Sequence, residues 1–373
     1  DGPPEWAAEA AAAKRPLAEL QAEAALLQAE LADLELDDFR AAMLGRQLVA
    51  AATRLRMAGG EQISFDEETK LLYDAVAPAY DLSRFDAALV EVDRLLPGDE
   101  PLNERVDAFR NSLAIPKDKL LSVFNAAIAE CRRRTIEHFE LPENESFALE
   151  FVNNKPWSGY NWYQGDYESL IQINTDLPIV IDRAVDLGCH EGYPGHHTWH
   201  SLIDRELVKG KGWVEYAIYP LFSPMSIVGE GSGNYGIELA FPGDEKIAFE
   251  RDVLFPLAGL DAAKAETLDA LNVLRRRLSH ADNHAAREYL DGRMDKEQTV
   301  EFLMKYSLAS RQRAEQRVRF IETYRGYVIN YNIGRDIVAD YVTRAKARGE
   351  DPWTAFEGLL MKPRSASALR ADE

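Results

Sequence analysis

Proline and glycine stand side by side, at Pro194 and Gly195, in the middle of Cys189-His-Glu-Gly-Tyr-Pro-Gly-His-His-Thr-Trp-His200. Both flanks read as helix. Ala184, Val185, Leu187 and Cys189 form an apolar side before the pair, and a helical pattern runs from His196 through Leu207 after it. A proline inside a helix removes a backbone donor and collides with the preceding turn. The chain must therefore bulge or bend at this point. The same stretch holds four of the chain's 7 histidines, His190, His196, His197 and His200, and Glu191 directly follows the first. Imidazoles crowded beside a carboxylate point to a metal that activates water.

The familiar zinc helix, His-Glu-x-x-His, sets two imidazoles one turn apart with the glutamate as general base. Here the fifth position is Pro194, and the next candidates are His196 and His197. Six residues of unbroken helix rise about 9 Å, too far for two ligands of one ion. A backbone bulged at Pro194-Gly195 brings His196 back beside His190. A third ligand is then needed, and in one zinc class it is a glutamate on a later helix. Glu230 fits, within Ile227-Val-Gly-Glu-Gly-Ser-Gly-Asn-Tyr-Gly-Ile-Glu238, where glycines permit close packing. Glu238, two turns on, is a candidate outer partner. A competing set is His190, His196 and His200, which leaves Glu191 poorly placed. His197 is read as a substrate-facing or outer residue, and Asp186 either orients His190 or is a plain exposed aspartate. His138, His280 and His284 stand alone, the last two on a solvated helix face.

The rest of the chain reads as mainly α. Residues 5–60 carry Leu17, Leu20, Ala24, Leu27, Leu31 and Leu34 at helical steps, and Gly59-Gly60 ends the next helix. Further helices are expected from Asp66, over 81–96, 104–114 and 117–139, and, after the histidines, from about Ser226 to Ala240 and from Glu245 onward. Phe147–Val152 and Ser169–Asn174 read as strands, and 153–166, rich in aromatics and turn formers, as a loop between them. One mostly helical domain is expected over 1–373. Its parts are a helical scaffold over 1–140, a metal-site region with a small sheet over 141–345, and a C-terminal tail over 346–373.

Composition narrows the class. A formal charge of −20 argues against non-specific binding to nucleic acid or anionic membrane. Two cysteines, Cys131 and Cys189, do not support a disulfide framework and exclude a cysteine-rich zinc site. No apolar run approaches the length of a membrane span. The first residues lack signal-peptide character, so the cytoplasm is the default location, although the chain does not start with methionine and a removed leader remains open.

His190-Glu-Gly-Tyr-Pro-Gly-His-His197 resembles the His-Glu-x-x-Pro-Gly-His-His signature of a large bacterial family of unknown function. That family is itself similar to carboxypeptidase Taq and other thermostable, almost wholly helical zinc carboxypeptidases of the gluzincin type. Those carry a shorter His-Glu-x-Gly-His. Aligning on Gly-His makes His196 the second ligand and the two extra residues the bulge. The resemblance extends over roughly residues 85–345. Glu230-Gly231 and Tyr235 match the family's Glu-Gly-Trp-Ala-x-Tyr helix, with Ser232 in place of the usual Trp. Ile237 stands where a second Glu is usual, with Glu238 one residue late. Tyr331-Asn-Ile-Gly334, preceded by Gly326 and Tyr327, resembles a later family segment, and the strand ending at Asn174 resembles the strand before the motif. The chain is shorter than typical members.

The resemblance and the residues together imply one Zn²⁺ on His190, His196 and Glu230, with Glu191 as general base in amide hydrolysis, most simply by a carboxypeptidase- or oligopeptidase-like metallopeptidase. Tyr331 is the expected donor to the oxyanion and Tyr327 its reserve. The strand at 169–174 can pair with an extended peptide as a sheet edge. Trp157, Tyr160, Trp162 and Tyr163 can line an apolar subsite. For a terminal carboxylate the candidate cations are Arg335, Arg325 and Arg319. Two rivals are a hydrolase of a small-molecule amide and a helical binding protein with a relic site. The intact Glu191 speaks against the relic.

Overall fold

A computed structural model describes residues 2–371. The first part is helical as the periodicity predicts, with α1 (Pro4–Ala12), α2 (Leu17–Leu31), α3 (Asp38–Ala58), α4 (Phe65–Tyr73), α5 (Ser83–Leu95), α6 (Leu102–Asn111) and α7 (Leu120–Ile136). Side chains set the starts. Asp37 accepts from the N–H groups of Phe39 and Arg40 ahead of α3, and Ser64 from that of Glu67 ahead of α4. Each satisfies donors that the first helical turn leaves free. The leucine-rich α2 packs along α3, so its partner is internal.

The sheet has the order β1-β3-β2, with β1 (Ser146–Val152), β2 (Gly159–Gly165) and β3 (Glu168–Asn174). β3 runs parallel to β1 and antiparallel to β2. Two expectations change. The segment 153–166 is not all loop: between Gly159 and Gly165 the aromatics form β2, a use that suits their strand propensity. And β3 is no edge. It lies in the middle, with Ile171 and Ile173 in the core, so the strand without an outer partner beside the histidines is β2.

The second part contains α8 (Asp182–Leu187), which runs on into a π-helical turn over Gly188–Gly192, then α9 (His196–Ile203) and α10 (Pro224–Ala240). It continues with α11 (Glu245–Phe249), α12 (Phe255–Ala258), α13 (Ala265–Leu278), α14 (Ala281–Leu290), α15 (Lys296–Tyr306), α16 (Arg311–Tyr324) and α17 (Ile329–Ala347). The helices expected from Glu245 onward continue through the C-terminal segment as α18 (Pro352–Met361) and α19 (Ala366–Ala371). Asp351 caps α18, and Phe356, Leu359 and Leu360, at helical spacing, are buried in the core together with Ala366 and Leu369.

The cysteines are also corrected. Cys131 on α7 and Cys189 in the π-helical turn form a disulfide with Cα atoms 5.5 Å apart, and both are fully buried. Two cysteines make no framework, but one bridge can join two helices that already touch. Gly188 admits that approach, since a Cβ there would stand 3.2 Å from the Ile128 side chain. The bridge closes a loop with a sequence separation of 58, and it fastens α7 to the residue before His190. Cys131→Ala/Cys189→Ala is expected to lose about 4 kcal/mol of unfolding free energy from loop closure. Urea titration of the oxidised wild type against the variant measures this, and an unchanged midpoint would show that the bridge does not constrain the unfolded chain.

Candidate metal centre

The π-helical turn is one residue wider than an α-helical turn, and it ends at the Tyr193–Pro194 peptide, which is cis. Gly195 then folds back under the turn. Its N–H donates to the Cys189 carbonyl at 3.0 Å, and a Cβ on residue 195 would lie 1.9 Å from the His190 carbonyl oxygen. Only glycine fits there. From this point α9 starts, and its first side chain, His196, lies beside His190 with ring centroids 4.7 Å apart and planes at 89°. The expected bulge is present, and it performs the expected task.

Glu230 reaches both imidazoles from α10. Its carboxylate oxygens lie 3.1 Å from His190 Nε2 and 3.4 Å from His196 Nε2. One ligand atom from each of the three residues lies within 4.8 Å of the others, and all three residues are buried. α10 comes this close because its contact faces lack side chains. A Cβ on Gly233 would stand 2.8 Å from His190 Nδ1, and one on Gly231 would stand 2.3 Å from the backbone of Gly334 on α17.

Neighbouring groups orient the three. Asn234 Oδ1 lies 3.2 Å from His190 Nδ1, and Asn234 Nδ2 donates to the Tyr331 carbonyl at 2.9 Å. A proton on Nδ1 given to Asn234 leaves the Nε2 lone pair for a cation. Tyr327 donates its hydroxyl to Glu230 Oε1 at 2.8 Å. The segment bearing Tyr327 is held by Glu68, a fully buried carboxylate that accepts from Arg325 Nε at 2.8 Å and from the Gly326 N–H at 3.0 Å.

The electrostatics separate the two carboxylates. Burial alone would raise the Glu230 pKa, but hydrogen bonds from His190 and His196, with their charges, outweigh it and hold the group below its ordinary range. Burial pushes the Glu191 carboxyl above its ordinary range, with the charges of His190 and His196 acting in the other direction. One carboxylate is thus kept ionised between the imidazoles and the other is made more basic, a division suited to ligand and proton acceptor. Burial opposes the protonation of His190, but the hydrogen bond to Glu230 and the charge of Glu191 win and raise its pKa. Tyr327 and Tyr331 are raised well above the ordinary tyrosine value by burial, so both are neutral donors.

His190, Glu191, His196, Glu230 and Tyr331 line one open cleft of about 1360 Å³. Other expected site residues are placed elsewhere. His197 is fully buried and faces away from the cleft, with Nδ1 2.8 Å from Ser169 Oγ and Nε2 2.9 Å from Glu145 Oε2. It ties α9 to the sheet and stands outside the group formed by His190, His196 and Glu230. His200 lines the cleft but stacks on Tyr163, and its ring centroid is 6.5 Å from that of His196, outside the three-residue group. Asn174 donates to the carbonyls of Lys155 and Trp157, so it shapes the loop before β2. Glu238 pairs with Arg335 rather than supporting a ligand, with Arg335 Nε 2.9 Å from Glu238 Oε1. Asp186 turns to Lys246 and Arg183, at 3.2 and 3.4 Å. His280, expected on a wet face, is buried and lies 3.0 Å from Asp336.

Of the three arginines named for a terminal carboxylate, only Arg335 lines the cleft. Arg335 is engaged by Glu238, Arg325 by the buried Glu68, and Arg319 lines a separate small pocket. Asn234, Glu68 and Glu145 were not anticipated. Asn234 had a legible signal, since it lies four residues after Glu230 on the same helix face. Glu68 and Glu145 had none.

No family model matches the chain, and no curated protein matches its sequence. Two solved structures share its fold. One, from Colwellia psychrerythraea, is described as a putative lipoprotein; it is 16% identical with a TM-score of 0.58, over 93% of this chain and 64% of that one. The other, from Shewanella oneidensis, is described as a putative lipoprotein of unknown function; it is 15% identical with a TM-score of 0.50, over 92% of this chain and 68% of that one. The chain therefore spans only about two thirds of the length of these structures. Both neighbours are described as putative lipoproteins, which are membrane-anchored proteins, so the expected cytoplasmic location finds no support in them and is not kept.

The glycine contact between α10 and α17 can be tested without ligand. Gly231→Ala drives a methyl into the Gly334 backbone and is expected to destabilise the protein by about 1–3 kcal/mol. Gly358→Ala on α18, where a Cβ meets nothing within 4 Å, is expected to be neutral or to stabilise by about 0.5–1 kcal/mol. Chemical denaturation measures both, and equal midpoints for the two variants would refute the close crossing.

Proposed function

We propose that the protein is a metal-dependent hydrolase of amide bonds that acts on peptides, with zinc held by His190, His196 and Glu230. The observation that carries the reading is the buried group of two imidazoles and one carboxylate, its ligand atoms within 4.8 Å of one another, with Glu191 next to the first ligand. Two nitrogens and one oxygen from the protein match zinc sites that keep a position for water. Bound there, zinc supplies Lewis acidity toward a carbonyl and lowers the pKa of water.

The chain's own residues do the rest. Glu191, its pKa raised by burial, accepts a proton at its carboxylate and returns it to the leaving nitrogen. Tyr327 holds Glu230 by its hydroxyl and is a positioning residue. Tyr331, on the cleft wall with its ring centroid 6.5 Å from that of His190, would donate to the carbonyl oxygen in this reading. β2 lies beside the base: a Cβ on Gly159 would stand 2.9 Å from Glu191 Oε1, and Asn161 Nδ2 donates to the Glu191 carbonyl at 2.7 Å. Its outer edge has no partner strand among the described residues, so an extended peptide can pair there and pass the base. That edge and the size of the cleft favour a peptide over a small-molecule amide. The resemblance of the histidine segment to thermostable zinc carboxypeptidases agrees with this reading.

We place the protein outside the cytoplasm, on two supports. The buried disulfide suits an oxidising compartment, and both structural neighbours are described as putative lipoproteins. No helix among the described residues is long and apolar enough to cross a membrane.

Metal analysis and a peptide library test the reading together. Wild type is expected to hold about one zinc per chain and to cleave library peptides. Glu191→Gln should keep the metal and lose at least about 100-fold in kcat, the scale of general-base catalysis. Asn234→Ala should weaken zinc binding about 10- to 100-fold, as loss of a partner to a ligating histidine does. A wild-type protein without near-stoichiometric metal would sink the hydrolase, whereas metal with an untouched library would move the substrate to small amides.

A further inference from the structure

The cleft that holds the proposed metal ligands is also lined by Arg110 of α6, Arg183 of α8, Arg275 of α13 and Arg313 of α16. Four guanidiniums from four separate helices converge in a chain whose formal charge is −20. Three of them have carboxylate partners. Arg110 lies 3.1 Å from Asp182, Arg183 lies 3.4 Å from Asp186, and Arg313 lies 3.5 Å from Asp107. Asp182 is already committed, since it also accepts from Asn272 at 2.9 Å. Asp186 is shared with Lys246 at 3.2 Å.

Arg275 differs. It is only half-buried on the cleft wall and makes no hydrogen bond or ion pair with the described residues. Its pKa is pushed below the ordinary arginine value by the charge of Arg110 first and by burial second; the Asp182 charge acts the other way, and Arg183 and Arg313 add to the lowering. Arg313 is lowered too, by burial and then by Arg110. Guanidinium stays charged at neutral pH. Positive charge therefore repels positive charge across a wall where one donor fork is unused, the arrangement a planar anion completes.

We infer that these arginines form a subsite for a carboxylate of the peptide substrate, with Arg275 as its main donor and Arg183 and Arg313 flanking it. The inference rests on the peptidase reading above and adds the substrate class to it. Position follows from the fold. Arg183 lies seven residues before His190 on the helical run from Asp182 to Gly192, which places it about 10 Å along that axis from the ligand. Its charge acts on both His190 and Glu191. That span corresponds to about three residues of extended chain. The favoured substrate carries an acidic side chain, or a terminal carboxylate, about three residues from the bond that is cut.

The test measures binding, so it does not depend on turnover. Zinc-loaded Glu191→Gln protein is titrated calorimetrically with alanine-based hexapeptides blocked at both ends, carrying one Glu or one Gln at each position in turn. A further peptide has no acidic side chain but a free C-terminal carboxylate. The best Glu peptide, or the free acid, should bind roughly 10- to 100-fold more tightly than its Gln or amide counterpart. Which of the two does so identifies the source of the carboxylate. The preference should fall to within about twofold in Arg275→Gln added to the same background. Equal binding of acidic and neutral peptides, no binding of any peptide, or a preference that survives Arg275→Gln would overturn the subsite. The Glu-against-Gln comparison needs no change at Arg275, so it stands even if that variant is unstable. Acidic-peptide binding with no cleavage by the wild type would instead overturn the peptidase reading and leave the subsite intact.

Discussion

The contact of residue 195 with the carbonyls of Cys189 and His190 sets the geometry of everything around it. The Gly195 N–H takes up the Cys189 carbonyl at 3.0 Å, so the reversal satisfies a backbone group that a broken helix would otherwise expose. Without that reversal His196 would lie well over one helical turn beyond His190, and Glu230 could meet only one of them. With it, two helical segments point their adjoining ends at a single carboxylate. The disulfide holds the π-helical turn from behind, and β2 holds it from the front through Asn161. The turn that carries His190 and Glu191 is thus fixed on opposite sides by a covalent bond and a charge-free hydrogen bond, neither of which competes with the imidazoles for a proton.

Burying three ionisable groups together is unfavourable unless each compensates the others. Here compensation is internal. Glu230 accepts from both imidazoles and from Tyr327, so its charge is spread over three donors. The cation that the cluster suits would replace the imidazole protons by a stronger charge at the same place. That exchange explains the neutral character of the next ring of residues. Asn234, Tyr327 and the bare faces of Gly231 and Gly233 orient without adding charge, while the charged pairs, such as Arg335 with Glu238 and Arg325 with Glu68, complete one another at a remove.

What could be read from the sequence was local. Pro194-Gly195 breaks a helix whatever else is present, and the helical rise showed that His190 could meet His196 or His197 only across such a break, while the choice between those two needed the folded chain. Glu230 was legible because glycines on a helix face require a close neighbour. What escaped depends on contacts between segments far apart in the chain. Nothing near Cys131 shows that α7 lies against Cys189, and the strand run at 169–174 is apolar in a way that fits an edge or a centre equally well. The four arginines come from positions 110, 183, 275 and 313, each an ordinary wet-face arginine on its own helix, and only the folded chain makes them one wall.

Tyr327 and Tyr331 show how far a helical period can be trusted. They are four residues apart and would share one face of a continuous α-helix, so either could take the other's part. But Tyr327 belongs to a 3₁₀ segment, Arg325–Val328, and α17 starts only at Ile329. A 3₁₀ turn is wound more tightly, so the two rings do not superpose along the axis. Tyr327 is delivered onto Glu230, and its placement is anchored by Glu68 through the Gly326 N–H. Tyr331 lines the cleft, and its carbonyl receives Asn234, the residue that also meets His190. One short segment therefore steadies the Glu230 carboxylate through a side chain and the His190 imidazole through a backbone carbonyl. A change of helix type within four residues is what lets adjacent tyrosines do different work.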